Sequence, residues 1–115
     1  MPQTEFTADQ FSIVLITCPD LENAESIAGM LVEKHLAACV NIVPGVISLY
    51  RWKDQLEKSQ EFLLIAKTSK KQFSNLANAV KAKHPYELPE IINVPLSDGL
   101  PDYLSWIQDN VAEPQ

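Results

Sequence analysis

The chain has 115 residues, 46% of them hydrophobic and 21% charged, with a net charge of −6. That length suits one domain burying roughly 65% of the surface its unfolded chain exposes, so folding requires no disulfide and no structural metal or other cofactor. The acidic balance excludes a basic phosphate-binding footprint and hence a nucleic-acid partner.

The first ten residues are polar and read as a frayed lead-in to a single domain spanning 1–115. Their lack of a basic region, and an apolar run from Ile13 to Ile16 too short for a signal core or a membrane span, predict a soluble, cytoplasmic chain with no membrane association. Phe11 to Thr17 is an apolar, β-branched run expected as a central strand. Asp20 is placed to cap a helix reaching about Leu36, with Leu21, Ala24, Ile27, Ala28 and Leu31 recurring at helical spacing.

Cys39 to Lys67 then reads as one long β-hairpin turning at Lys53-Asp54-Gln55. Its first strand, Cys39 to Trp52, would extend roughly 46 Å, against a diameter of about 35 Å for a compact domain of this size. Part of the hairpin must therefore project, and Pro44-Gly45 predicts a bulge dividing the part in the domain from the part outside it. The projecting part carries Ile47, Leu49, Tyr50 and Trp52, an apolar ribbon that needs another chain over it. An obligate oligomer follows, with these four residues as interface anchors. Tyr50, Arg51 and Trp52 also suit a ligand platform, although the same residue types dominate buried interfaces.

Ser69-Lys70-Lys71-Gln72 has the capping-box pattern, followed by a helix with Phe73, Leu76, Ala77 and Val80 on its apolar face. His84 precedes Pro85 and should end that helix, giving way to the loop HPYELPE. Ile91 to Val94 is the last strand, and Pro101 opens a terminal helix that Tyr103 and Trp106 are expected to pack onto the body. The order β-α-β-β-α-β plus a terminal helix defines an α+β, ferredoxin-like split βαβ fold. Right-handed crossovers put the third strand between the first and second, with the fourth beside the first. Cys18, Asp20, the His84–Glu90 loop and the distal hairpin then share one end of the sheet, and Cys39 and Lys67 the other. A Cys18–Cys39 disulfide within one chain is thereby excluded.

Cys18, His84, Glu87 and Glu90 bring a thiol, an imidazole and carboxylates to one rim, a donor set suited to copper or zinc. The same residues also suit plain structural roles: a small buried cysteine, a histidine closing an apolar helix face, and solvated glutamates. His35, late in the first helix, suits its C-terminal dipole. Lys67 is expected in a salt bridge, or, with Arg51 and Tyr86, in a cleft for a small anion. No GxSxG motif, phosphate loop or paired cysteine and histidine supports an enzyme.

LVEKHLAACVNIVPGVISLYRW, then KAKHPYELPEIINVPL and DYLSWI, resemble the CutA family of divalent-cation tolerance proteins over roughly Phe11 to Val111. The resemblance implies a ferredoxin-like fold similar to PII signalling proteins and a homotrimer whose long hairpins pair across subunits. It implies a role in copper and divalent-metal tolerance, with no established catalysis. The copper-ligand pattern of some members has a cysteine at the position of Ile16 and histidines at those of Lys83 and His84, so only His84 matches. Cys18 lies two residues along the strand from Ile16 and so returns to the same face. Weak metal binding by Cys18 and His84, with Glu87 or Glu90 as oxygen donor, is the first expectation. A PII-like sensor binding an anionic metabolite between subunits through Lys67, Arg51 and Tyr86 is the alternative.

Overall fold

The structure, a computed structural model, describes residues 7–114. Residues 1–6 of the expected frayed lead-in lie outside the described residues, whereas Ala8–Gln10 form a short 3-10 turn. Among the described residues there are one four-stranded antiparallel sheet and three α-helices, an α+β fold. In chain order these are β1 (Phe11–Cys18), α1 (Leu21–Glu33), β2 (Cys39–Trp52), β3 (Gln55–Ser69), α2 (Phe73–Lys83), β4 (Ile91–Pro95) and α3 (Pro101–Asn110). The strands lie in the order β2-β3-β1-β4, the third between the first and second as expected from the crossovers.

Alternation along the strands divides the sheet into two unlike faces. Val14, Ile16 and Cys18 of β1 and Leu64 and Ala66 of β3 are buried with Ala24, Ile27 and Leu31 of α1 and Leu76 and Val80 of α2. The opposite face carries Ile13, Leu15, Leu63 and Ile65, each half-buried, and Ile92 and Val94, both exposed. At the end of the sheet remote from the hairpin tip, Leu104, Ile107 and Val111 gather with Phe11 and Ala38 in a second cluster. Leu104 and Ile107 thus seat α3, while Tyr103 and Trp106, expected to do so, are exposed and stack on one another with centroids 5.4 Å apart. They lie one position before the inward pair, which turns them away from the body.

Three boundaries depart from the expected ones. α1 stops at Glu33 because His35 adopts a left-handed conformation, φ 57°, and the backbone closes a Schellman motif: Leu36 N–H to Leu31 O and His35 N–H to Val32 O. His35 contacts the Asn110 carbonyl through Nδ1 at 3.3 Å, linking the ends of α1 and α3. The Ser69–Gln72 capping box does not form; Lys70–Gln72 is a 3-10 turn, and Gln72 is buried, donating to the Ala112 carbonyl at 2.7 Å. Its amide nitrogen serves the C-terminal segment, while its oxygen accepts from the Asn75 side chain at 2.7 Å in the first turn of α2. The hairpin turn has two central residues, Lys53 and Asp54, both with positive φ, and Gln55 already pairs with Trp52. Two such residues in succession give the tight turn whose twist suits paired strands.

The hairpin projects. β1 covers β3 only as far as Cys18 opposite Phe62, so Val46–Trp52 pair with 55–61 and no other strand among the described residues flanks this ribbon. The register slips between Val43 and Val46, and Gly45 there has φ 78°, the bulge that Pro44-Gly45 predicted. The chain measures 58 × 25 × 22 Å with a radius of gyration of 15.3 Å. A compact domain of similar length would have about 13 Å.

Candidate functional site

The site forms where the ribbon leaves the body. Pro85 forbids a further helical turn, so His84 takes an extended backbone, φ −75° and ψ 139°, after its N–H has closed the last bond of α2. Its ring is carried onto the end of β1. His84 Nε2 lies 2.7 Å from the Thr17 carbonyl oxygen, and Nδ1 lies 3.1 Å from the Tyr86 N–H. A carbonyl only accepts and an amide N–H only donates, so the ring is neutral with its proton on Nε2.

Cys18 follows Thr17 and is fully buried, its Sγ 3.9 Å from His84 Nε2. Burial, with the charges of Asp20 and Glu61 adding to it, pushes the thiol up to about 11. It is therefore a thiol at neutral pH, not a ready thiolate ligand. Both cysteines are free.

Tyr86, the second residue after His84, stacks obliquely on its ring at 4.8 Å and donates its hydroxyl to Glu61 at 2.7 Å. Glu61 is only 6% exposed and lies opposite Val46, where the bulge ends. Burial, then the bond to Glu61 and its charge, hold the Tyr86 hydroxyl far above the usual phenol range. The Glu90 carboxyl is also raised, by partial desolvation first and by the Glu61 charge second. Sequence reasoning missed Glu61. Its signal was a lone carboxylate at the start of the apolar run FLLIA, on the face that Leu63 and Ile65 share.

These groups form one wall of a cleft of about 730 Å³ between the ribbon and the loop after α2. Arg51, Tyr50 and Trp52 line it from the ribbon, and Tyr86, Glu87 and Glu90 from the loop. Leu49 lines it as well, and Ile47 is exposed elsewhere on the ribbon. Within one chain Lys67 is not brought to Arg51 and Tyr86: it pairs with Cys39 at the far end, where its ammonium donates to the Asn41 side chain and lies 3.9 Å from Cys39 Sγ. Its partner is an amide rather than the carboxylate of the expected salt bridge.

The structure thus brings Cys18 to His84, and Glu87 and Glu90 to the adjoining cleft, but the two pairs do not converge. Among the described residues no three His, Cys, Asp or Glu side chains are grouped to hold a metal ion. Both His84 nitrogens are engaged and Cys18 keeps its proton, so the resting arrangement does not fit a bound metal without rearrangement. Nor is any helix of the described residues long and apolar enough to cross a membrane.

A small α+β domain with an antiparallel sheet, helices on one face and a ribbon projecting beside an acidic, aromatic cleft is the class that this geometry defines. The family model described as CutA1 divalent ion tolerance protein matches residues 12–110. The divalent-cation tolerance protein CutA of Thermus thermophilus is 50% identical over 100 residues, 87% of this chain and 97% of that one. A solved structure of the Thermus thermophilus protein superposes with a TM-score of 0.87 at 48% identity, covering 89% of this chain and 99% of the other. CutA1 from Oryza sativa superposes with a TM-score of 0.88 at 38% identity, over 90% and 95%. The chain belongs to the CutA1 divalent ion tolerance family.

Proposed function

We propose that the protein acts in divalent-cation tolerance as a ferredoxin-like, PII-like homotrimer in the cytoplasm, binding copper or another divalent cation weakly and catalysing no reaction. The observation that carries the metal part is the 3.9 Å approach of Cys18 Sγ to His84 Nε2 beside a cleft holding Glu87 and Glu90. The tolerance named for the Thermus thermophilus relative agrees with it. Two features make the binding weak. A metal on Nε2 displaces the bond to Thr17, and one on Sγ displaces a proton held to about pH 11.

The trimer draws support from two uncovered apolar surfaces, the sheet face bearing Ile92 and Val94 and the ribbon bearing Ile47, Leu49 and Leu56. Tyr50 and Trp52 are its proposed anchors on the ribbon's other face. The anion-sensor reading has less to rest on within one chain, because Arg51 shares its cleft with three carboxylates and Lys67 lies elsewhere.

Native mass spectrometry with and without equimolar copper or zinc tests both parts. The expected species is a trimer that takes up three ions, with uptake reduced in His84→Ala. A monomer removes the assembly, and undiminished uptake by His84→Ala removes the site. Because Cys18 must lose its proton, copper affinity should rise by about tenfold per pH unit between pH 6.5 and 8.5. A chelator-competition titration that stays flat across that range removes Cys18 from the ligand set.

A further inference from the structure

Next to the buried thiol and imidazole, the cleft has a chemistry of its own that a small metal ion does not use. At about 730 Å³ it has the volume of a small-molecule pocket rather than an ion site. Glu61, Glu87 and Glu90 contribute carboxylates, and Arg51 is the single cationic residue of the lining, so the lining carries an excess of negative charge. Glu61 is nine-tenths buried and fixed by the Tyr86 hydroxyl.

The rings of Tyr50, Trp52 and Tyr86 supply the other half of the chemistry. An ammonium is attracted to an aromatic face, most strongly to that of tryptophan. The molecule already contains such an arrangement, for Lys53 Nζ stands 5.7 Å from the centroid of the Trp52 ring. Leu88 and Pro85 line the same space and offer apolar surface to a methylene chain. Neither the rings nor these apolar side chains would serve a hydrated or chelated metal ion.

We infer that this cleft binds an aliphatic diamine or polyamine, with its ammonium groups on the Glu61 and Glu90 carboxylates and the Trp52 ring and its methylenes on Pro85 and Leu88. Two carboxylates in one lining match a ligand with two positive charges.

The inference shares Glu90 with the metal reading, and the test keeps the two apart. The metal-free protein, held in a chelator, is titrated with 1,4-diaminobutane by isothermal calorimetry, against sodium chloride of matched ionic strength and against acetate. Saturable heat with the diamine alone is expected. Glu90→Gln, a conservative change in an exposed loop, should weaken binding by about tenfold, the scale of removing one charge-assisted interaction from a partly desolvated site, and Trp52→Phe, which keeps an aromatic ring at the anchor position, by about threefold. Native mass spectrometry of both variants checks that assembly is unchanged. No heat above the sodium chloride control overturns the inference, and so does undiminished affinity in either variant.

Discussion

The same two strands, β2 and β3, are built into a core at one end and stand in solvent at the other. In the body, Leu64 and Ala66 are fully buried beneath α1 and α2. Past the bulge, Leu49 is 66% exposed and Leu56 77% exposed, although the hairpin ladder continues unbroken to Trp52 opposite Gln55. Backbone pairing is therefore equal in the two regions while side-chain burial is not. A two-stranded ribbon on its own is marginal in water, so the projecting half depends on what covers it and the body does not. One β-hairpin is thus core at one end and uncovered ribbon at the other, and the one-residue slip at Gly45 marks the border.

The largest expected effect breaks this contrast directly. Leu64→Ala should cost about 3 kcal/mol of unfolding free energy, whatever the protein concentration, because it removes buried apolar surface and leaves a cavity in a site with no room to collapse. Leu56→Ala should leave urea unfolding of a dissociated chain nearly unchanged, because little of its surface is buried there. If other copies cover the ribbon, the same substitution lowers the midpoint in a concentration-dependent way. Denaturation at two protein concentrations a hundredfold apart separates these outcomes. A concentration-independent loss in Leu56→Ala as large as that in Leu64→Ala would erase the distinction between the two regions.

How legible this was in the sequence follows the same border. Strand order, the projecting hairpin and the bulge could be read because they follow from run length, crossover handedness and the backbone limits of Pro44 and Gly45. Side-chain hydrogen bonding across distant segments could not. Gln72 fits a capping box locally, yet the Ala112 carbonyl, far along the chain, claims its amide. His84 could be placed at the right rim, but only the fold shows that Thr17 and Tyr86 occupy both its nitrogens. Tyr103 and Trp106 were expected inward because they stand three apart on one helix face, and the helix phase set by Leu104 and Ile107 turns them outward. Glu61 was overlooked because its burial depends on Tyr86 reaching it from a loop twenty-five residues later.

At the junction itself, Tyr86→Phe should cost about 2 kcal/mol, since it leaves the buried Glu61 carboxylate without its donor. The pH dependence has a definite sign. The Tyr86 and Cys18 groups both titrate higher in the folded chain than in the unfolded one, so their contribution is complete below the unfolded values and is lost as pH rises through the folded ones. For Cys18 that window runs from 9.0 to about 11. Cys18→Ala should therefore flatten part of the alkaline limb of a stability profile measured by urea unfolding from pH 7 to 11, and an unchanged slope would mean that the thiol is not shifted.

The smallest effects sharpen the comparison through two glycines that differ only in backbone. A Cβ built at Gly29 or at Gly45 would meet nothing within 4 Å, so packing cannot distinguish them. Gly29 lies within α1, where alanine removes unfolded-state freedom and satisfies helix propensity; Gly29→Ala should stabilise the protein by about 0.8 kcal/mol. Gly45 holds φ 78° at the bulge, where an L side chain clashes with its own backbone, so Gly45→Ala should destabilise by about 1 kcal/mol. Urea midpoints of the two variants should move in opposite directions. If Gly45→Ala were neutral, the bulge would be relaxing into a regular register, and the slip would move every side chain between Val46 and Trp52 to the opposite face of the ribbon. Tyr50 and Trp52 would leave the cleft with it, so diamine binding by Gly45→Ala reports whether that border also sets the site.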